Sequence, residues 1–150
     1  MKTREDWMQQ ALNQADKAAQ QDEVPIGAIV VHENQIIGAG YNQPIRSNDP
    51  SAHAEVIAIR QAADYLANYR LLDCELYTTL EPCPMCAGLM IYSRIKTCIY
   101  AASDSKAGAA GSVVNLFAYP FNHRVEVVAD VCADIAAEKL KSFFQAKRTK

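Results

Sequence analysis

The chain has 150 residues, half of them apolar, which is the size of one domain with its own core, residues 1–150. Fifteen basic side chains against seventeen acidic ones give a formal charge of −2, so the molecule as a whole has no strong field for a polyanion and any nucleic-acid contact must use a local patch. No run approaches the roughly 20 uninterrupted apolar residues that span a bilayer, which argues against a membrane role. Five cysteines, an odd number, and a start reading Met-Lys-Thr-Arg-Glu-Asp-Trp without an apolar leader point to a reducing, cytoplasmic setting.

In chain order, Met8, Ala11, Leu12, Ala15, Ala18 and Ala19 recur at helical spacing and predict an amphipathic helix that ends near Gln21 to Glu23, ahead of Pro25. Gly27–Val31 and Ile36–Tyr41, joined by a turn at Glu33-Asn34, predict a β-hairpin. Asn42 to Ser51 reads as a loop. From Ala52 to about Ala67 the chain is apolar on more than one face, a helix buried on several sides. Cys74–Leu80 is then a strand, Pro82 to Tyr92 a second apolar helix opened by prolines, and Lys96–Ala102 a fourth strand. Ser103 to Ser112 reads as a loop, Val113 to Ala118 as a single helical turn and Arg124–Ala129 as a fifth strand. A C-terminal helix carries Cys132, Ile135, Ala136, Leu140, Phe143 and Phe144 at helical spacing. The order is that of an α/β protein, a five-stranded mixed sheet between helical layers.

Pro82-Cys83-Pro84-Met85-Cys86 and His53-Ala54-Glu55 carry the chemistry. Two thiols at i, i+3 lie near one helix face and can hold one ion if a third ligand comes from elsewhere. Alone, such a pair is equally a redox dithiol, half of a structural zinc site or two buried cysteines. Paired with His-x-Glu, it has the ligands and the acid/base of a zinc hydrolase acting on a nucleobase. His53, Cys83 and Cys86 would then hold one Zn2+ per chain with a fourth position open for water, and Glu55 would move protons between that water and the base. His53 and Glu55 do not share a face in mid-helix, but both can reach past the end of a first turn. If both motif helices start at one point, their dipoles favour thiolates there.

His53-Ala54-Glu55, Leu80 to Gly88, Val24-Pro25-Ile26-Gly27-Ala28, Ala109-Ala110-Gly111-Ser112 and Asn122-His123-Arg124-Val125 resemble, in register over nearly the whole chain, the bacterial tRNA-specific adenosine deaminases. The zinc motifs alone specify only the wider cytidine-deaminase-like superfamily. The resemblance implies the three-layer α/β/α fold of that superfamily, a homodimer, and zinc as the cofactor. It also implies conversion of the wobble adenosine of a tRNA anticodon loop, that of an arginine tRNA, to inosine. By the same resemblance Asn42 contacts the target base, Ala54 contributes backbone to its pocket, Asp104 touches a neighbouring nucleotide, and Asn122 belongs to the substrate-binding loops. The chain departs from the pattern at Ser103, Ser105 and Ala107.

The same residues admit competing readings. A guanine, cytidine or deoxycytidylate deaminase shares the metal motifs. A noncatalytic zinc or RNA-binding module has no use for Glu55, and a thiol-disulfide enzyme leaves His-x-Glu a coincidence. Cys74, Cys98 and Cys132 read as core residues, Glu81 as a brace for the helix it precedes, and Asn42 by itself as a turn residue. His123 reads as a surface residue as easily as an RNA contact. The basic tail of Lys139, Lys141, Lys147, Arg148 and Lys150 suits either RNA or a helix C-terminus. Phe143 and Phe144 sit at core spacing.

Overall fold

A computed structural model describes residues 2–148, so Lys150 of the basic tail lies outside the described residues. Strands β1 (Gly27–His32), β2 (Gln35–Tyr41), β3 (Glu75–Leu80), β4 (Thr97–Ala102) and β5 (Glu126–Val128) form one sheet in the order β2-β1-β3-β4-β5. β1 runs antiparallel to both β2 and β3, whereas β3, β4 and β5 are parallel. The mixed sheet follows from the connections: the turn at Glu33-Asn34 closes a hairpin, while β3 and β4 are joined through helix α4 (Pro84–Tyr92).

Period-two alternation sorts the strand residues to two faces. Ala28, Val30, Leu76 and Cys98 face helices α3 (Ala54–Leu66) and α4. Ile29, Val31, Tyr77 and Ile99 face α1 (Arg4–Gln20) and α5 (Ala133–Arg148). The result is the expected α/β/α sandwich. Fully buried Met8 and Leu12 seat α1, each contributing about 1.5–3 kcal/mol of apolar burial. On the other face α3 approaches β2 at bare backbone. A Cβ at Gly38 would drive into the Ala58 carbonyl oxygen, and one at Gly40 would stand 2.6 Å from that of Ala54.

Several boundaries differ from the sequence reading, each for a local reason. α4 starts at Pro84, not Pro82, because the residue before a proline is held extended; Cys83 sits at φ −74°, ψ 172° as the N-cap. α3 starts at Ala54, with His53 extended at φ −78°, ψ 151° ahead of it. The predicted loop from Asn42 to Ser51 contains a short helix, α2 (Pro44–Ser47), opened by Pro44. β5 is shorter than Arg124–Ala129, since it is an edge strand paired on one side only and the chain turns at Asp130 and Cys132, both at positive φ.

The C-terminal helix departs most. Of its predicted core face only Ala136 is buried, Phe143 is half-buried, and Ile135 and Phe144 are exposed; Cys132 lies in the preceding turn rather than on the helix. The helix packs on the sheet near its start and is then tied by ion pairs to α1 and to the turn that follows it, Lys139 to Asp16 at 2.7 Å and Lys147 to Asp22 at 2.6 Å. Those pairs account for two of the tail's cations. Cys74 and Cys98 are buried as expected, and all five cysteines are free thiols. No helix among the described residues is long and apolar enough to cross a membrane.

Candidate active site

α3 and α4 begin at the same point, and each offers its N-cap side chain to the other instead of to its own helix. His53 Nδ1 stands 3.5 Å from the Cys83 sulfur and 3.5 Å from the Cys86 sulfur. The position of the second sulfur follows from the first turn of α4: with Cys83 as N-cap, Cys86 is brought round to the same end. The three donor atoms lie within 4.8 Å of one another, the one such group of potential metal ligands among the described residues. A tetrahedral zinc with Zn–N about 2.0 Å and Zn–S about 2.3 Å has a nitrogen-to-sulfur edge of about 3.5 Å. The donor set therefore fits zinc in both type and spacing.

The protonation of the group points the same way. A hydrogen bond from Cys86, aided by His53, lowers the Cys83 thiol to about 4, a thiolate at neutral pH. Cys86 is raised, first by sharing that bond and then by burial, and His53 is raised by its bond to Cys83. Two sulfurs thus share one proton, which a cation bound between them would displace. Glu55, one position into α3 after Ala54, is 4% exposed and carries no ion pair. Burial raises its carboxyl to about 7, while its own backbone N–H and the Cys86 thiol partly offset that rise. A carboxylate in contact with the ligand shell is placed to exchange protons with whatever that shell holds.

The expected substrate residues separate into two groups. Asn42 is buried and its Oδ1 accepts the Ala54 N–H at 2.9 Å, so two of them are bonded to each other beside Glu55. This bond supplies the acceptor that α3 lacks at its N-cap. Asp104 is half-buried on the loop after β4, and its Oδ1 accepts the N–H groups of Lys106 and Ala107. Asn122 is exposed and borders a cleft of about 350 Å³ with Gly88, Tyr92, Arg94 and Phe121, which none of the cluster residues lines. Its neighbour His123 donates from Nε2 to the Ile95 carbonyl at 2.7 Å and is a structural tie.

Two buried carboxylates do work that the sequence did not disclose. Glu23 accepts the backbone N–H of Arg46 at 2.8 Å and of Ile45 at 3.4 Å, fixing α2 next to Asn42. Glu81 braces the loop after β4 and not the helix it precedes. The sequence signal is slight in both cases: Glu81 directly precedes Pro82 at the end of an apolar strand, and Glu23 stands two residues ahead of Pro25 after a polar run.

Against known proteins, residues 2–148 match the MafB19-like deaminase family. A tRNA-specific adenosine deaminase of Haemophilus influenzae is 49% identical over 96% of this chain and 84% of its own length. A solved structure from a study of A-to-I editing by tRNA:A34 deaminases at the wobble position of transfer RNA superposes with a TM-score of 0.86. It is 40% identical and covers 89% of this chain and 98% of its own. A guanine deaminase of Bacillus subtilis gives a TM-score of 0.65 at 42% identity, covering 68% of this chain and 66% of its own.

Proposed function

Because the chain belongs to the family of tRNA-specific adenosine deaminases, we infer that His53, Cys83 and Cys86 hold one zinc ion per chain and that Glu55 is the proton carrier of the reaction. The enzyme is a hydrolytic deaminase that converts adenosine to inosine at the wobble position of a tRNA. The observation that carries the mechanistic reading is the meeting of the three donors at two helix starts with the buried Glu55 carboxyl against them.

When bound, the zinc supplies a Lewis acid that makes water nucleophilic near neutral pH. Glu55 takes one proton from the attacking water and delivers it to a ring nitrogen of the adenine, then takes the second from the hydroxyl so added to the ring and gives it to the amino group, which departs as ammonia. Water's oxygen becomes the carbonyl of inosine, and the C–N bond to the amino group breaks. Asn42 orients the base, with its Oδ1 engaged by Ala54 and its Nδ2 group left as a donor. Ala54 completes the wall of the base pocket, and Asp104 and Asn122 meet neighbouring nucleotides of the anticodon loop.

Residues 1–150 act as one zinc-dependent deaminase domain in the cytoplasm, on the anticodon loop of an arginine tRNA, as a homodimer. Support for the homodimer comes from exposed apolar side chains: Tyr92 and Phe121 line the cleft at Asn122, Val114 and Tyr119 line a second cleft that shares Pro120 with it, and Met85 is exposed on the same helix as Tyr92. A monomer rarely leaves so many large apolar groups together in water.

The test is a substrate panel. The zinc-loaded protein should convert the wobble adenosine of an arginine-tRNA anticodon stem-loop to inosine and leave free adenosine, guanine and cytidine unchanged. Turnover of guanine with none of the stem-loop would move the reading to a guanine deaminase, the activity of its 42%-identical structural neighbour.

A further inference from the structure

Glu81 is 2% exposed and lies outside the cluster of His53, Cys83 and Cys86, yet it sits two residues ahead of Cys83. Its carboxylate is turned entirely to one loop. Oε1 accepts the Asp104 N–H at 3.0 Å and the Ser112 hydroxyl; Oε2 accepts the N–H groups of Ala110 at 3.0 Å and Ser112 at 3.1 Å. Gly108 lies so close that a Cβ there would collide with the Glu81 carboxyl carbon. Main-chain bonds run in parallel, from Ala109 N–H to the Pro82 carbonyl and from Glu81 N–H to that of Ala102, both 2.8 Å.

The loop does not need Glu81 for its own shape. Gly108 N–H closes on the Asp104 carbonyl at 2.9 Å, Val113 N–H on that of Gly108 at 2.9 Å, and Gly111 N–H on that of Val114 at 2.9 Å. Those bonds fix the loop internally but say nothing of where it stands. Glu81 joins it to the chain segment that bears Cys83. Four donors converge on two oxygens, so only an acceptor on both sides satisfies them. A glutamine of the same shape would have to turn an N–H toward one of them.

We propose that Glu81 is a positioning residue, a strut that holds the 104–112 loop in register with Cys83 and so sets Asp104, and the nucleotide it meets, at the distance the reaction at the neighbouring base requires. The proposal rests on the tRNA reading above and on Asp104 as a nucleotide contact. Through the strut, the flanking nucleotide helps to place the reacting base; without it, that nucleotide contributes nothing.

Glu81→Gln and Gly108→Ala test this from opposite sides of the contact. Each zinc-loaded variant is given an anticodon stem-loop with wobble adenosine, and partners lacking the base on one side or the other of that adenosine. Zinc content should stay at one per chain. KM for the intact stem-loop should rise about tenfold with a smaller change in kcat. On one of the two stem-loops lacking a flanking base, variant and wild type should agree within about twofold, the contact being already absent there. Amide exchange should quicken at Asp104, Ala110 and Ser112 and stay unchanged along α4. An equal loss on every stem-loop, or no loss on any, overturns the proposal while leaving the tRNA reading intact. Wild-type inactivity on the intact stem-loop would sink both. If Glu81→Gln fails to fold, Gly108→Ala, which keeps the carboxylate, decides the question.

Discussion

The helix that opens the chain and the two that bear the candidate site begin in opposite ways. At α1, Thr3 closes a capping box: its Oγ1 accepts the Asp6 N–H at 3.2 Å, and Asp6 Oδ2 accepts the Thr3 N–H at 2.9 Å. At α3 and α4 the N-cap residues are His53 and Cys83, and neither side chain bonds its own helix. They face each other instead. For α3 the missing acceptor arrives from twelve residues upstream, at Asn42. A helix start can thus serve the fold or the chemistry, and where it serves chemistry a distant residue takes over the capping.

The largest effect should come from making a site start inert. Cys83→Ala leaves α4 its proline but removes a donor, and should abolish zinc retention and lower turnover by about four orders of magnitude or more. Elemental analysis of the purified variant checks it, and zinc at one per chain in an active Cys83→Ala protein would erase the contrast. Next, Glu55→Gln should keep zinc and fold while kcat falls by about 10²–10⁴. Near-normal turnover by this variant removes Glu55 from proton transfer. Asn42→Ala should show both kinds of loss. The unpartnered Ala54 N–H costs about 1–3 kcal/mol of stability, read from the denaturation midpoint, and the base loses its orienting amide, read in kcat/KM. A stability loss with unchanged kcat/KM would make Asn42 a cap and nothing more. Smallest is Thr3→Ala, expected to cost about 1 kcal/mol of stability and no activity at all. A drop in its kcat/KM would mean that the start of α1 also serves the site.

Much of the molecule was legible because the relevant signals are local. The alternation in Ala28-Ile29-Val30-Val31 and its counterparts in β3 and β4 gives a strand with two buried faces, and hence a sheet between helices. His53, Glu55, Cys83 and Cys86 were legible as donor chemistry at short spacing, and the structure brings His53 to the two thiols across 30 and 33 residues. What stayed hidden depends on partners far along the chain. The bonds of Glu81 go to backbone N–H groups 23 to 31 residues away, and a backbone N–H has no sequence signature. Nor did periodicity show how little of α5 is covered. The spacing of Ile135, Phe143 and Phe144 marks an apolar stripe, but whether the sheet or α1 reaches it depends on where the helix lies.

Gly38 and Gly40 bear on how accurately the site can be built. In any assembly, positional error grows with the number of joints between the mount and the working part, and each packed side chain is a joint with several rotamers. α3 is mounted on β2 with carbonyl oxygens against bare strand backbone, so that layer of joints is missing beneath His53 and Glu55. The thiols of Cys83 and Cys86 hang from the chain that leaves β3 directly. The backbone that carries His53 and Glu55 is therefore placed by main-chain contact. The 104–112 loop is tied in through the Glu81 carboxylate instead, a side-chain joint that the mount of α3 on β2 does without.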